Sequence, residues 1–121
     1  MFEDPGCLAK QLLCVRKHVT FRVMFRHAVH TGKKRFTLRK YKIANHGEIV
    51  STNFGPIEIN AVTKQTPRWV GEHLYEVEGF QSPEQFFQTW AQMHPDLSLD
   101  KPLWLHEFTY LPLRYAKERW C

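Results

Sequence analysis

The sequence is short of the features that most readily classify a small protein. Its 121 residues hold three cysteines, Cys7, Cys14 and Cys121, an odd number with no C-x-x-C pair. That argues against a disulfide framework and a structural zinc knuckle, and suits a reducing, cytoplasmic setting. No apolar run approaches the roughly 18 residues of a membrane span, so no membrane partner is expected. The opening MFEDPGCLAK places two acids and a proline ahead of any apolar stretch, unlike a signal peptide. The G-x-G-x-x-G, P-loop, H-E-x-x-H and G-x-S-x-G motifs are all missing, which removes the enzyme classes they mark. Among seven histidines only His27 and His30 are spaced to share a helical face, and no cysteine or carboxylate is placed to complete a tetrahedral site around them. No metal and no cofactor are expected.

Acidic residues are scarce at one end. Residues 1–42 carry eleven Lys or Arg against Glu3 and Asp4, a balance of +9. Residues 43–121 carry six basic and ten acidic residues, a balance of −4, which together give the net +5. This asymmetry points to an anionic partner met by the N-terminal third, with nucleic acid first among the choices. Apolar mass, by contrast, is plentiful: 43% of residues are hydrophobic and 14% aromatic, with nine Phe and four Trp. A chain of this length and composition predicts one folded domain and excludes general disorder.

The pattern along the chain is mixed. Residues 1–17 read as an irregular arm or short helix, and His18–Phe21 as a short strand. Arg22–Thr31 sets Met24, Phe25, Ala28 and Val29 on one helical stripe that Gly32 ends. Arg35–Tyr41 alternates as a strand with Thr37, Arg39 and Tyr41 on a polar, basic face. Two strands, Glu48–Ser51 and Pro56–Gln65, follow on either side of Asn53-Phe-Gly55. Thr66-Pro67 opens a helix whose inner face is Trp69, Val70, His73 and Leu74. Ser82-Pro-Glu-Gln85 opens another, buried through Phe86, Phe87, Trp90 and Met93 and stopped at His94-Pro95. Leu103–Leu111 is the last strand, and residues 112–121 a tail with a frayed helix. This order predicts an α+β domain over 18–111, a small mixed β-barrel with flanking helices.

The densest signal is Gly32-Lys-Lys-Arg-Phe-Thr-Leu-Arg39. A helix ending at Gly32 leaves basic residues at a helix–strand junction, and period two then puts Thr37 and Arg39 on one face. Lys34, three residues before Thr37, joins them only if the chain still turns there. Such a site gathers an ammonium, a hydroxyl and a guanidinium, and suits phosphate-bearing or carbonyl-rich ligands.

The pattern G-x-K-x-x-T-x-R at Gly32, Lys34, Thr37 and Arg39 resembles the signature of the ASCH domain family, in which many members have Glu where this chain has Thr37. Glu78-Gly-Phe-Gln-Ser-Pro-Glu-Gln-Phe86 resembles the family's turn into its last helix, and Trp104-Leu-His-Glu-Phe108 its closing strand. The likeness runs from about His18 to Leu111 in the family's order. It implies a PUA-like barrel with a cleft for RNA or a modified nucleoside.

The threonine form of the motif resembles small bacterial amidohydrolases that deacylate N4-acetylcytidine. Carried over residue by residue, the resemblance gives catalytic roles to Lys34 as base, Thr37 as nucleophile and Glu78 as the group that holds the lysine or shuttles its proton. Gly32, Lys33, Arg39 and Tyr41 are then the candidate substrate-binding residues, Arg39 for placement or charge stabilisation and Tyr41 for stacking on a base. Other members resemble ribonucleases or plain RNA-binding modules, so a metal-independent ribonuclease and a non-catalytic RNA binder stand beside the hydrolase. The simplest structural role for Lys34 and Arg39 is an ion pair with Glu78 or Glu76 that ties the helix junction to the barrel.

Overall fold

Caps and glycines set the element boundaries. Described in the computed structural model are residues 17–111, so the arm before Lys17 and the expected tail helix lie outside the described residues. The elements run β1 (His18–Val19), a 3₁₀ turn (Val23–Phe25), α1 (Arg26–His30), β2 (Phe36–Arg39), β3 (Ile49–Thr52), β4 (Ile57–Gln65), α2 (Pro67–His73), α3 (Pro83–Met93) and β5 (Leu103–Tyr110). At the start of α3 the Ser82 hydroxyl accepts from the Gln85 N–H at 3.1 Å, while Gln85 Oε1 accepts from the Gln81 N–H at 2.7 Å. This is the reciprocal cap that the Ser-x-x-Gln spacing predicts, reaching one residue further back. Thr66 caps α2 in the same way, its hydroxyl accepting from the Trp69 N–H at 3.2 Å. Gly32 sits at φ +81° just past α1, the left-handed position open to glycine.

Three helix faces differ from the sequence pattern. The first turn of the 22–31 segment is 3₁₀, so Phe25 and Val29 are buried while Met24 is half in solvent. In α2 the inner residues are Pro67, Val70 and Gly71, and Trp69 and His73 are exposed. Gly71 is the cause: a Cβ there would stand 2.6 Å from the Phe87 ring and 2.7 Å from Phe86, so α2 meets α3 through its one residue without a side chain. That contact rotates Trp69 outward. In α3, Phe86 and Trp90 fill the core, whereas Met93 at the helix end is 46% exposed.

The strands form one mixed sheet in the order β1-β3-β4-β5-β2, with β1 parallel to β3 and the other pairs antiparallel. The expected barrel is an open sheet: β1 and β2 are its edges, and no ladder joins them among the described residues. The outward N–H groups of Arg35 and Phe36 are both taken by the Val77 carbonyl, at 2.7 and 3.1 Å. The turn after α2 thus covers the start of β2, where a barrel would need another strand. Across the remaining gap the Arg39 guanidinium donates to the Thr20 carbonyl at 3.2 Å.

A bulge at Asn60 sets which residues face the site. Ile59 pairs with Phe108, yet Ala61 pairs with Glu107 and Val62 with His106. The extra residue reverses the parity of β4, so Ile57 and Ile59 share a face with Val62 and Lys64 beyond it. Along that face Phe108 of β5 is followed by His106, set opposite Thr37 of β2, and then by Trp104, set opposite Arg39. One end of the face is apolar core, with Ile57, Ile59 and Phe108 buried beside Phe21 and Phe54. The other end is polar.

Candidate functional site

Lys34 enters this polar end through the turn at Gly32. The Lys34 N–H donates to the Ala28 carbonyl at 2.9 Å, which folds the chain back over α1 before β2 begins. Its side chain, 3% exposed, then runs inward past the ring of Phe25, with Nζ 4.5 Å from the ring centre. Nζ donates to the Phe36 carbonyl at 3.0 Å, to the Glu78 carbonyl at 2.5 Å and to Glu78 Oε1 at 3.3 Å. An ammonium has three N–H groups, and all three are engaged.

Glu78 reaches Lys34 from the turn after α2. Gly79 makes the approach possible: its φ is +101°, and a Cβ there would stand 2.9 Å from the Phe25 ring and 3.3 Å from Lys34 Cδ. Glu78 is itself buried, and its Oε2 has no hydrogen-bond partner among the described residues. Burial pushes the Glu78 carboxyl above its usual range and the Lys34 ammonium below its own, each opposed by the other's charge. The Arg39 charge lowers Lys34 further.

Thr37 and Arg39 project from β2 on the same face. Thr37 is 4% exposed, and its hydroxyl oxygen accepts from Arg39 Nε at 3.0 Å. Burial also draws the guanidinium below its ordinary pKa. Directly across the ladder from Thr37 is His106, fully buried, whose Nε2 accepts from the Ile43 N–H at 3.0 Å. That bond holds the 40–44 segment over the polar end of the sheet. Burial, with Arg39 nearby, keeps the His106 imidazole below its usual pKa.

Lys34, Thr37, Arg39 and Glu78 line one cavity of about 120 Å3, with aromatic walls from Phe21, Phe25, Phe80 and Trp90. Arg22 and Lys40 add charge, and Glu78 is the sole acidic group in the lining. Of the other residues drawn from the motif, Tyr41 is 73% exposed and lines an adjoining basin. Gly32 lines a separate cleft behind Lys34, and exposed Lys33 lines neither the cavity nor the basin. Other basic residues of the N-terminal third are engaged elsewhere: Lys17 is held by Glu48, Arg26 lies over Phe54, and Lys42, like Lys64, lies near the Trp104 ring. Among the described residues no three His, Cys, Asp or Glu side chains come together as metal ligands, and no helix is long and apolar enough to cross a membrane.

The aromatic walls and His94 were not singled out by sequence reasoning. Trp90 carries ordinary core spacing, Phe80 enters only as part of the turn that resembles the family's, and His94-Pro95 reads as a helix stop. Yet His94 lines both the cavity and the basin, its ring 4.3 Å from that of Trp90. Helical spacing links Trp90 with His94, but no spacing rule ties that pair to Phe80 or to Phe21 and Phe25, which only the fold brings to it.

No protein-family model matches the chain, and no curated protein is similar enough to match. Solved structures do match. A hypothetical protein superposes with TM-score 0.64 at 15% identity, covering 78% of this chain and 97% of that one. The ASCH domain from Lactobacillus crispatus JV V101 gives 0.58 at 17% identity, covering 77% of each chain. A mutant ASCH protein from Zymomonas mobilis gives 0.56 at 14% identity, covering 84% of this chain and 78% of its own. Identity this low speaks to architecture alone, and by its architecture this chain has an ASCH-like fold.

Proposed function

We propose that the protein binds a cytidine-type base, from RNA or from a free modified nucleoside, and hydrolyses an acyl amide on its N4. The observation that carries this reading is the convergence of an ammonium, a hydroxyl, a guanidinium and a carboxyl on one aromatic-walled cavity. The cavity, at about 120 Å3, is well below the roughly 300–1,000 Å3 of pockets for drug-sized ligands, which favours a single ring over a whole nucleotide. Flat apolar walls suit such a ring, and the polar end supplies the chemistry.

In this reaction Lys34 acts as a neutral amine, the form that burial and Arg39 favour. It takes the Thr37 hydroxyl proton as Oγ1 bonds to the amide carbonyl carbon. Arg39, already donating to Oγ1, stabilises the charge on oxygen. Collapse breaks the bond between carbonyl carbon and N4, and the amine leaves with the proton that Lys34 held. Water then gives a proton to the same lysine as its oxygen bonds to the ester carbon. The carbon–Oγ1 bond breaks, Lys34 returns the proton to Thr37 Oγ1, and the carboxylic acid is released. Glu78 holds Lys34 and exchanges a proton with it.

A second reading, base binding without chemistry, is favoured by one observation: all three Lys34 donors are engaged, which suits a lysine that anchors the fold. Incubation with N4-acetylcytidine and with total RNA, followed by chromatography, separates these readings. Hydrolysis predicts acetate and cytidine, abolished by Lys34→Ala and by Thr37→Val. Binding without acetate release supports the second reading. Phosphodiester cleavage that survives a chelator would instead mark a metal-independent ribonuclease.

A further inference from the structure

Beside the cavity lies a more open basin of about 550 Å3, and Thr20, Arg39, Lys40 and His94 line both. No acidic side chain lines the basin. Lys17, at its edge, is already neutralised by Glu48 through bonds of 2.7 and 2.8 Å. Lys40 makes no ion pair among the described residues. Arg39 uses Nε on Thr37 and Nη2 on Thr20, so its Nη1 has no hydrogen bond among the described residues. His94 stands half-buried between the two spaces. Arg39 with its remaining Nη1 donor, Lys40 lying 5.5 Å over the exposed Tyr41 ring, and the His94 imidazole therefore line one open volume beside the enclosed one.

We propose that this basin seats a phosphate, so that the ligand is a phosphorylated cytidine derivative, free or as a residue of an RNA chain, and not a bare nucleoside. The inference rests on the reading of the enclosed cavity as a base site. A ring seated between Phe21 and Trp90 directs its sugar to the shared wall and its phosphate into the basin. There Arg39 and Lys40 supply charge-assisted hydrogen bonds. Arg39 is then the hinge of the site, touching Thr37 on one side and the phosphate on the other. The open, solvent-facing shape of the basin leaves room for a chain to enter and leave.

The test is calorimetric titration of the full chain with cytidine and N4-acetylcytidine, each as nucleoside, 5′-monophosphate and 3′-monophosphate, and with a short oligonucleotide. At low salt at least one monophosphate binds about tenfold tighter than its nucleoside, as charged hydrogen bonds of ordinary strength require. The advantage shrinks as salt rises, and the nucleotide-to-nucleoside ratio collapses in Lys40→Gln, an exposed position where folding is not at risk. A further gain with the oligonucleotide assigns the phosphate to RNA, and equal affinity of oligonucleotide and monophosphate assigns it to a free nucleotide. Nucleosides binding as tightly as both monophosphates would overturn the phosphate seat while leaving the base site intact. Failure of every form to bind would overturn the base site and the phosphate seat together.

Discussion

Lys34 and Glu78, 44 residues apart in the chain, form a 3.3 Å ion pair from which water is almost wholly excluded. The pair fastens the junction of α1 and β2 to the turn after α2. It also places two titratable groups, both displaced toward their neutral forms, at the end of an aromatic-walled cavity. Structural and chemical roles thus fall on the same atoms.

Breaking the pair from one side is expected to be costly. Lys34→Met leaves a buried carboxyl without its cation, and removing one partner of a buried pair typically costs about 3–5 kcal/mol. The double variant Lys34→Met/Glu78→Leu removes both charges and recovers most of that loss. Urea denaturation of the two variants beside the parent checks this. Equal stability of the single variant and the parent would contradict it.

The two displaced pKa values give stability a pH dependence of defined sign. Glu78 binds its proton more tightly folded than unfolded, so stability falls as pH rises from the ordinary value of 4.5 to the raised folded value. Lys34 binds its proton less tightly folded, so stability rises with pH between its lowered folded value and the ordinary 10.5. Denaturation midpoints measured against pH are expected to show both slopes in the parent and to lose both in the double variant.

Two glycines at positive φ are expected to respond differently to alanine. Gly32 has no atom within 4 Å of where a Cβ would stand, so Gly32→Ala costs only the left-handed backbone, about 1–2 kcal/mol. Gly79→Ala adds a clash with the Phe25 ring and pressure on Lys34, and is the more destabilising. Thermal melting of both variants ranks them, and a smaller loss at Gly79 would contradict the packing around Glu78.

His94 reports the field of the basin. Burial, then Arg39 and Lys40, hold its pKa below 6.5. Removing the Lys40 charge in Lys40→Gln is expected to raise it, since a neighbouring cation disfavours the imidazolium. Titration of the His94 ring protons by NMR measures the shift, and an unchanged or lowered value would place Lys40 away from the imidazole.

Much of the fold was legible because its signals are local. Ser82 with Gln85 and Gly32 with its positive φ mark boundaries through neighbours three or four residues away. The pairing of Thr37 with Arg39 follows from strand period alone. Lys34 was harder, because period two sends it to the other side of Thr37. The bond from its N–H to Ala28 supplies the turn that the sequence left open. Glu78 as a partner for Lys34 came from motif resemblance, since no spacing rule reaches across 44 residues. The open sheet could not be read at all: it depends on the Val77 carbonyl claiming the outward N–H groups of β2. The outward face of Trp69 depends in turn on Gly71 lying against Phe86 and Phe87.

The central claim is that Lys34, Thr37, Arg39 and Glu78 form a reacting centre and not only a structural tie. The most direct measurement is acetate released from N4-acetylcytidine and its 5′-monophosphate by the parent and by Thr37→Val. Thr37→Val keeps the shape and strand preference of the side chain but removes the hydroxyl. The account predicts release by the parent and loss of at least about a hundredfold in the variant, with the fold retained. No release by the parent, or equal release by Thr37→Val, would contradict it.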